Sequence, residues 1–322
     1  MRRIVLSLAV LGALGGAPLT AHAQNVRSWV ASTGLDGNPC TRAQPCASFN
    51  RALSQTNAGG EINCVDQGDF GNGVQLGINK AITIDCDGVG GHIEFATAEA
   101  AIGVTASPTD VVVIRGLDID GAGTGGTGIT VISGDVHIDN CLIHGFKSST
   151  LGFGVAVAAG AVSVSDTVLI DNGTSSSGAG LVAELISSDT IIKLILNRVE
   201  VRSNFFGIKA DGTIANGGGI QMTIRDSVST GNGANGIVGT GLPGGPAILM
   251  MIDRSSSSHN TAGFGIIADG PKTTIRLGGS SITGNINGVG VSNGGAIQSY
   301  GTNQINGNSN DGIASLTPIG LH

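Results

Sequence analysis

The sequence predicts an all-β protein, a right-handed parallel β-helix of about eight short coils with a short N-terminal capping helix. Three observations lead to this prediction. Glycine accounts for 55 of the 322 residues and charged residues for only 12%, against about 25% in an ordinary globular chain. From residue 111 onward, a unit of two β-rich runs separated by a polar turn recurs. The spacing of the units varies while their turn residues persist, as in a solenoid that accepts insertions at its corners.

The first 23 residues are predicted to be a signal peptide. Arg2 and Arg3 form a positive start, residues 4–16 are apolar but too short to span a bilayer, and residues 21–23 resemble a cleavage site. We expect the mature chain to begin at Gln24 and to be secreted or periplasmic, with no later segment that crosses a membrane. Cleavage removes two arginines and no acid, so the formal net charge of −7 becomes two units more negative. This acidity argues against a nucleic-acid partner.

Residues 24–58 are predicted to form an N-terminal cap that consists of a strand, a cysteine-bearing loop and a helix. The segment from Ser48 to Gln55 fits a short amphipathic helix. Its apolar residues Phe49, Ala52 and Leu53 lie on one side, which we expect to face the first coil.

The five cysteines fit an oxidising compartment. Cys40 and Cys46 bracket a turn-rich segment, and Cys64 and Cys86 lie 22 residues apart, which is about one coil. Stacked side chains of adjacent coils lie about 4.8 Å apart, inside the separation that a disulfide tolerates. We therefore pair Cys40 with Cys46 and Cys64 with Cys86.

Cys141 is then left without a partner. It occupies a place equivalent to those of Leu117 and Val168, so we expect a buried core thiol. The other four cysteines lack the short C-x-x-C spacing of zinc sites, and no metal site is predicted.

Residues 59–316 carry the repeat and are predicted to form the β-helix. Asn and Gly tolerate the left-handed backbone that a sharp corner needs, and stacked Asn amides can form hydrogen bonds from coil to coil. The turn positions are Gly121, Gly145, Asn172, Asn204, Asn232, Asn260, Asn285 and Asn308. Each turn is followed by Gly and an aliphatic residue, and these aliphatic residues are expected to form one interior column: Ile129, Val155, Leu181, Ile208, Ile237, Ile266, Val289 and Ile313.

Two dipeptides are predicted to fix the register of the strands. Arg225-Asp226 and Asp253-Arg254 lie 28 residues apart, one local repeat. Arg225 should therefore stack on Asp253 and Asp226 on Arg254, as two ladders of alternating charge that oppose slippage.

The repeat resembles the parallel β-helix repeats of the carbohydrate-binding and sugar-hydrolysis type, a group that includes pectate-lyase-like proteins. The segment from Trp29 through Cys40 and Cys46 to Leu53 looks like the entry segment of uncharacterised bacterial secreted β-helix proteins. The resemblance implies a fold and a compartment more directly than a reaction, since one fold hosts many functions.

The reactions of these relatives would each need a motif. Polygalacturonase-like hydrolysis would need an Asp-Asp pair and a Gly-His-Gly, and pectate-lyase-like elimination would need an Arg base among calcium-binding acids. The sequence has no Asp-Asp dipeptide, and its His259 lies in a Ser-His-Asn corner. It has no dense acidic cluster around an Arg either, so neither family activity is predicted.

One outer column is the candidate ligand site. The third residues after the inward aliphatic residues are Ile132, Ala158, Glu184, Asp211, Thr240, Asp269 and Ser292. Lys209 shares their face, and we expect Glu184, Lys209, Asp211 and Asp269 to be exposed and to bind a glycan or a cation. A merely solvated polar face is the alternative interpretation.

The spacing of two carboxylates bears on catalysis. Glu184 and Asp211 should stand about 5 Å apart on neighbouring strands, close to the separation in retaining glycosidases. Neither residue has an evident apolar pocket to raise its pKa into the range of a catalytic acid. Binding is therefore favoured over hydrolysis.

Residues 317–322 form a predicted C-terminal tail. An uncovered last coil would expose backbone donors and acceptors. We expect the tail to fold across this opening, or the protein to self-associate through it.

The sequence therefore predicts a secreted β-helix protein that interacts with extracellular or cell-envelope glycans, with no recognisable catalytic motif. One alternative is a non-enzymatic structural or adhesin-like surface protein. Another is a polysaccharide lyase or glycoside hydrolase with a non-standard site. No cofactor is evident; Ca²⁺ stays an open alternative, but no motif supports a site for it.

Overall fold

A computed structural model describes residues 25–174 and 177–321. The predicted signal peptide and its cleavage site lie outside these residues. Among the residues described, one α-helix, α1 (Phe49–Gln55), and one turn of 3₁₀-helix (Ile313–Ser315) accompany the strands. The strands in chain order are β1 (Asn25–Val30), β2 (Thr56–Cys64), β3 (Gly68–Asp69), β4 (Leu76–Ile78), β5 (Ile82–Asp85), β6 (Gly91–Glu94), β7 (Ala100–Thr105), β8 (Val111–Arg115), β9 (Leu117–Asp120), β10 (Thr127–Ser133), β11 (Asp135–Asp139), β12 (Leu142–His144), β13 (Phe153–Val157), β14 (Ala161–Ser165), β15 (Val168–Ile170), β16 (Ala179–Glu184), β17 (Ile191–Asn197), β18 (Glu200–Arg202), β19 (Phe206–Gly212), β20 (Gly219–Arg225), β21 (Val228–Thr230), β22 (Ile237–Gly241), β23 (Ala247–Asp253), β24 (Ser256–Ser258), β25 (Phe264–Asp269), β26 (Thr273–Gly278), β27 (Ser281–Thr283), β28 (Asn287–Ser292), β29 (Ala296–Ser299), β30 (Gln304–Ile305) and β31 (Leu316–Pro318).

The strands form three parallel sheets that run along the solenoid. Sheet A has 12 strands from β1 to β31, sheet B has 10 strands from β3 to β30, and sheet C has 9 strands from β4 to β28. Neighbours within a sheet are separated by one coil of the chain, so each coil contributes one short strand to each sheet. The predicted parallel β-helix is confirmed.

The solenoid has about nine turns, one more than the spacing of the glycine-aliphatic pairs predicts. Leu76 and Ile102 begin the interior column of sheet C, in direct register with Ile129 and on the two coils that precede it. Neither residue follows a glycine, so the pattern leaves them out of the predicted column. At the other end Ile313 is wrongly included, because it lies in the 3₁₀-helix with 61% of its surface exposed.

The remaining predicted column is confirmed. Seven aliphatic residues align strand by strand and are almost fully buried. They are Ile129, Val155, Leu181, Ile208, Ile237, Ile266 and Val289. Burial of a side chain of this size stabilises by roughly 1.5–3 kcal/mol, so the interior column is a main source of cohesion between coils.

A ladder of buried asparagines joins the corners between sheets B and C. The main-chain N–H and the side-chain amide of Asn204 both donate to Oδ1 of Asn232, at 3.1 and 3.3 Å. The same pair of bonds recurs on successive coils through Asn172, Asn204, Asn232, Asn260, Asn285 and Asn308. The predicted coil-to-coil amide bonds are therefore confirmed.

Two details of the corner differ from the sequence prediction. The left-handed residue is the one before each asparagine, as at Asp171 (φ 60°) and Ser203 (φ 57°). In the earlier coil the place of the asparagine is taken by Phe146, whose N–H donates to Oδ1 of Asn172, rather than by Gly145. Phe146 is fully buried, so an aromatic ring fills this corner before the amide ladder begins.

The N-terminal cap has the predicted helix and disulfides. Ser48 is the N-cap of α1 and accepts a hydrogen bond from the Arg51 N–H, while Phe49, Ala52 and Leu53 are buried. Cys40 is bonded to Cys46 and Cys64 to Cys86, and Cys141 is a buried free thiol. Both disulfide pairings are confirmed.

The charge ladders also occur as predicted. The guanidinium of Arg225 lies 3.7 Å from the Asp253 carboxylate, and that of Arg254 lies 2.8 Å from Asp226. Arg254 also contacts Asp253 at 2.6 Å. The two ladders are therefore cross-linked and oppose register slippage together.

Beyond the last coil the chain adds one more strand to sheet A, while closure of the opening by residues 317–322, or self-association through it, stays a prediction. Strand β31 pairs with β29, and the Ile319 N–H donates to the carbonyl of Ser299. Leu316 packs against the core. No helix in the described part of the chain is long and apolar enough to span a membrane.

Candidate functional site

The predicted outer column lies on sheet C. Strand register aligns Glu184 with Asp211, Asp211 with Thr240, and Thr240 with Asp269. Ser292 follows on the next coil. Three carboxylates and two hydroxyls therefore stand on consecutive coils, spaced by roughly 4.8 Å per coil.

Asp211 is buried, contrary to the predicted exposure. Only 5% of its surface is accessible, because the turn after β19 brings Thr213 onto the carboxylate. The N–H and hydroxyl of Thr213 donate to Asp211 Oδ1 at 3.0 and 2.6 Å. These contacts occupy the carboxylate and withdraw it from solvent.

Lys209 completes the set of contacts around Asp211. Its Nζ lies 2.6 Å from Asp211 Oδ2 and 5.1 Å from the centroid of the Phe206 ring. Burial alone would raise the pKa of Asp211, but the hydrogen bonds from Lys209 and Thr213 hold it below its ordinary value. The sequence predicted that Lys209 would be free to bind a ligand. In the structure its ammonium is instead held by Asp211 and the Phe206 ring.

Glu184 is the available carboxyl of the column. It is half-buried, and within residues 25–174 and 177–321 it accepts no hydrogen bond and has no ion-pair partner. Burial raises the pKa of Glu184, and the Asp211 carboxylate raises it further while Lys209 opposes the shift. The sequence analysis found no apolar pocket that could raise the pKa of Glu184. The burial of Glu184 in the structure corrects that expectation.

Asp269 borders a groove at the other end of the column. Thr240 donates to its Oδ2 at 3.1 Å and Asn293 donates to its Oδ1 at 2.7 Å. The groove has a volume of about 480 Å³ and is also lined by Leu242, Pro243 and Pro271. This volume lies in the range of small-ligand sites, roughly 300–1,000 Å³.

An apolar patch lies beside the column on the same face of sheet C. Phe153, Ala179 and Val182 are buried, and Phe206, Leu151 and Ala156 pack against them half-exposed. The Phe206 ring also meets Phe205 edge-on, with centroids 5.0 Å apart. Sheet C therefore presents aromatic and aliphatic surface next to a row of carboxylates and hydroxyls.

Sequence reasoning missed this patch, although a signal was present. Phe153, Phe206 and Phe264 each lie two residues before an inward aliphatic residue, and this recurrence was the signal. Strict alternation would turn the three rings inward, so their position on the outer face does not follow from spacing alone.

A second polar cluster, also missed, lies on sheet B. Register stacks His92 on Asp118 and Asp120 on His144. The Asp118 carboxylate lies 2.9 Å from His144 Nε2 and 3.5 Å from His92 Nδ1. Hydrogen bonding to Asp118 raises the pKa of His92, and the same contact lowers that of Asp118. The 26-residue spacing of His92, Asp118 and His144 was the available signal.

The described residues contain no group of three or more His, Cys, Asp or Glu side chains arranged to hold a metal ion. Cys141 aligns with Leu117 and Thr167, one place before the predicted Val168, and its N–H donates to the Thr167 hydroxyl. Burial raises the pKa of Cys141 to about 12, so the thiol is inert toward metals and electrophiles at neutral pH.

The sequence matches no protein-family model and no curated protein. Among solved structures, similar folds occur in XylC in complex with xylose and in a GH136 lacto-N-biosidase from Eubacterium ramulus. The identities are 9% and 12%, both TM-scores are 0.50, and the aligned regions cover 82% and 91% of this chain and 69% and 67% of the other chains. A pectate lyase, Pel9A, aligns at 16% identity and TM-score 0.48 over 85% of this chain and 67% of its own. At such identities the likeness shows the fold alone.

Proposed function

We propose that this protein is an extracytoplasmic glycan-binding β-helix whose site is the outer column of sheet C with its adjacent apolar patch. The observation that carries the proposal is the half-buried Glu184 carboxyl, which has no hydrogen bond or ion pair among the described residues. It lies on the same sheet face as the patch in which the partly exposed Phe206 packs. Hydroxyl groups of a sugar donate well to a carboxylate, and the C–H faces of sugar rings pack on apolar surface. Among the neighbours, XylC was solved in complex with xylose and another is a lacto-N-biosidase, and these names support a saccharide as the class of ligand.

The roles of the four predicted residues differ. Glu184 and the groove at Asp269 would contact the ligand. Asp211 and Lys209 would act as supports that hold β19 and its following turn in place, because each is already occupied by the other.

Binding is the better-supported activity, but one observation keeps hydrolysis as a second candidate. The pKa of Glu184 is raised while that of Asp211 is lowered, and such divergence marks acid and nucleophile in glycosidases. Against this, Thr213 and Lys209 cover Asp211, so it lacks the access to an anomeric carbon that a nucleophile requires. Assays for new reducing ends and for unsaturated products would detect hydrolysis or lyase activity.

A glycan array probed with the chain from Gln24 onward tests the proposed function. The best ligand would then be titrated calorimetrically against Glu184→Ala and Asp269→Ala. We expect each variant to weaken binding at least about tenfold, a loss of about 1.4 kcal/mol. Asp189→Ala is the matched control, since Asp189 is an exposed carboxylate in the loop that follows Glu184.

Two results would contradict the proposal. One is an array without any bound glycan, which would favour the non-enzymatic structural or adhesin-like alternative. The other is unchanged affinity in both alanine variants, which would leave the column as a solvated face.

The extracytoplasmic location rests on the two disulfides, which form and persist in oxidising compartments, and on the signal-like N-terminus. Intact-mass measurement of protein from the periplasm and medium tests it. We expect a chain that begins at Gln24, and a full-length cytosolic species would contradict the assignment.

A further inference from the structure

The candidate site has more carboxylates than basic side chains to neutralise them. Within residues 25–174 and 177–321, Asp211 is the one of its three carboxylates that has a basic partner, Lys209 at 2.6 Å. In the same residues Glu184 forms no ion pair, and the side chain of Asp269 accepts from the neutral Thr240 and Asn293 alone. Two carboxylates on this face therefore lack a compensating cation among the described residues.

The nearest cations in sequence are committed elsewhere. Lys209 is held by Asp211 and the face of the Phe206 ring. Lys272, three residues beyond Asp269, donates its ammonium to the carbonyl of Gly245 at 3.1 Å. Neither ammonium forms an ion pair with Glu184 or Asp269 among the described residues.

Resting on the proposed function, we infer that the site selects uncharged polysaccharides and that Glu184 and Asp269 reject polyuronates. A neutral sugar chain offers hydroxyl donors to both carboxylates and C–H surface to the partly exposed Phe206. A polyuronate would place its own carboxylates against Glu184 and Asp269, and such like-charge contacts oppose binding. Rejection through an unpaired charge is a recognised route to specificity.

Selectivity against polyuronates can be tested separately from affinity for neutral glycans. The double variant Glu184→Gln/Asp269→Asn keeps the shape and much of the hydrogen-bonding capacity of both side chains while removing their charge. We expect it to gain affinity for polygalacturonate by about tenfold or more and to change affinity for the best neutral glycan much less. Asp189→Asn, which removes one exposed negative charge outside the column, is the control for the overall charge of the protein.

The experiment is calorimetric titration of the parent, the double variant and the control with polygalacturonate and with the best neutral glycan. EDTA is present throughout so that no divalent cation bridges two carboxylates. The parent is expected to bind the neutral glycan and to ignore polygalacturonate. The discrimination should shrink at high salt, because salt screens charges on an exposed face.

The outcomes separate the two proposals. If neither glycan binds any protein, the proposed function fails. If the parent binds polygalacturonate in EDTA as tightly as the neutral glycan, glycan binding stands and the inference is wrong. An equal gain in Asp189→Asn and in the double variant would also overturn it, since the effect would then come from net charge rather than from the column.

Discussion

Nζ of Lys209 lies 2.6 Å from the Asp211 carboxylate, and the two side chains are only 17% and 6% exposed. Removing one partner of such a pair leaves the other charge uncompensated in a poorly solvated place, at a cost of about 3–5 kcal/mol when burial is complete. We predict that Asp211→Ala lowers the free energy of unfolding by about 3 kcal/mol. The midpoint of urea-induced unfolding checks this, with Asp189→Ala as the exposed control.

A double variant tests the cause of that loss. Lys209→Met with Asp211→Leu removes both charges and keeps apolar volume near Phe206, so it should recover much of the stability. If Asp211→Ala alone unfolds at the same urea concentration as the parent, the pair has no supporting role.

The His92–Asp118 contact predicts a pH dependence of stability. Hydrogen bonding to Asp118 raises the pKa of His92 above its ordinary 6.5 in the folded protein. The folded state therefore holds the proton more tightly than the unfolded state. This stabilisation is complete below pH 6.5 and is lost as the pH rises through the raised pKa.

Thermal unfolding of the parent and His92→Gln from pH 6.5 upward measures this effect. The melting temperature of the parent should fall more steeply than that of the variant. His259→Gln is the control, since its ring lies over Gly284 at a different corner. Parallel curves for the parent and His92→Gln would contradict the prediction.

The asparagine ladder predicts a position-dependent cost of substitution. Asn232→Ala removes the acceptor of both the N–H and the amide of Asn204, and each buried group left unsatisfied costs about 1–3 kcal/mol. We expect a loss of about 2–4 kcal/mol. Asn308→Ala, at the half-buried end of the ladder, should cost clearly less, and equal losses at both positions would argue against cooperation along the ladder.

Thiol reactivity checks the cysteine assignments. Because Cys141 is buried and its pKa is raised to about 12, the native protein should not react with a disulfide-exchange reagent at neutral pH. After unfolding without a reductant, one thiol per chain should react. Reaction of the native protein, or peptide maps that link Cys141 to another cysteine, would contradict both the pairing and the burial.

The fold could be predicted from the sequence because, in most coils, the same residue type recurs at the same place in the repeat. Ile208 and Asn232 recur with their equivalents at the same relative place, so a column and a ladder follow from spacing alone. Leu76 and Ile102 were missed as members of the column since no glycine precedes them. Ile313 was misplaced because a glycine-aliphatic pair does not reveal whether another coil lies above it.

The site was only partly readable. The sequence spacing correctly predicted that Glu184, Asp211 and Asp269 lie in one column, because the strand register repeats from coil to coil. Burial of Asp211 depends on Thr213, which belongs to a turn of irregular length, and no repeat determines where such a turn folds. Side-chain contacts between a column and its flanking turns are therefore set by tertiary packing.

The two ends of the solenoid are secured differently, and this gives unfolding a direction. Helix α1 and both disulfides hold the first coils, whereas the last coil is held by β31 and a few contacts such as that of Leu316. Coils should therefore peel away from the C-terminus, each exposing the next, while the N-terminal coils remain wound. Limited proteolysis would then yield a series of nested fragments that share one N-terminus and shorten by about one coil at a time.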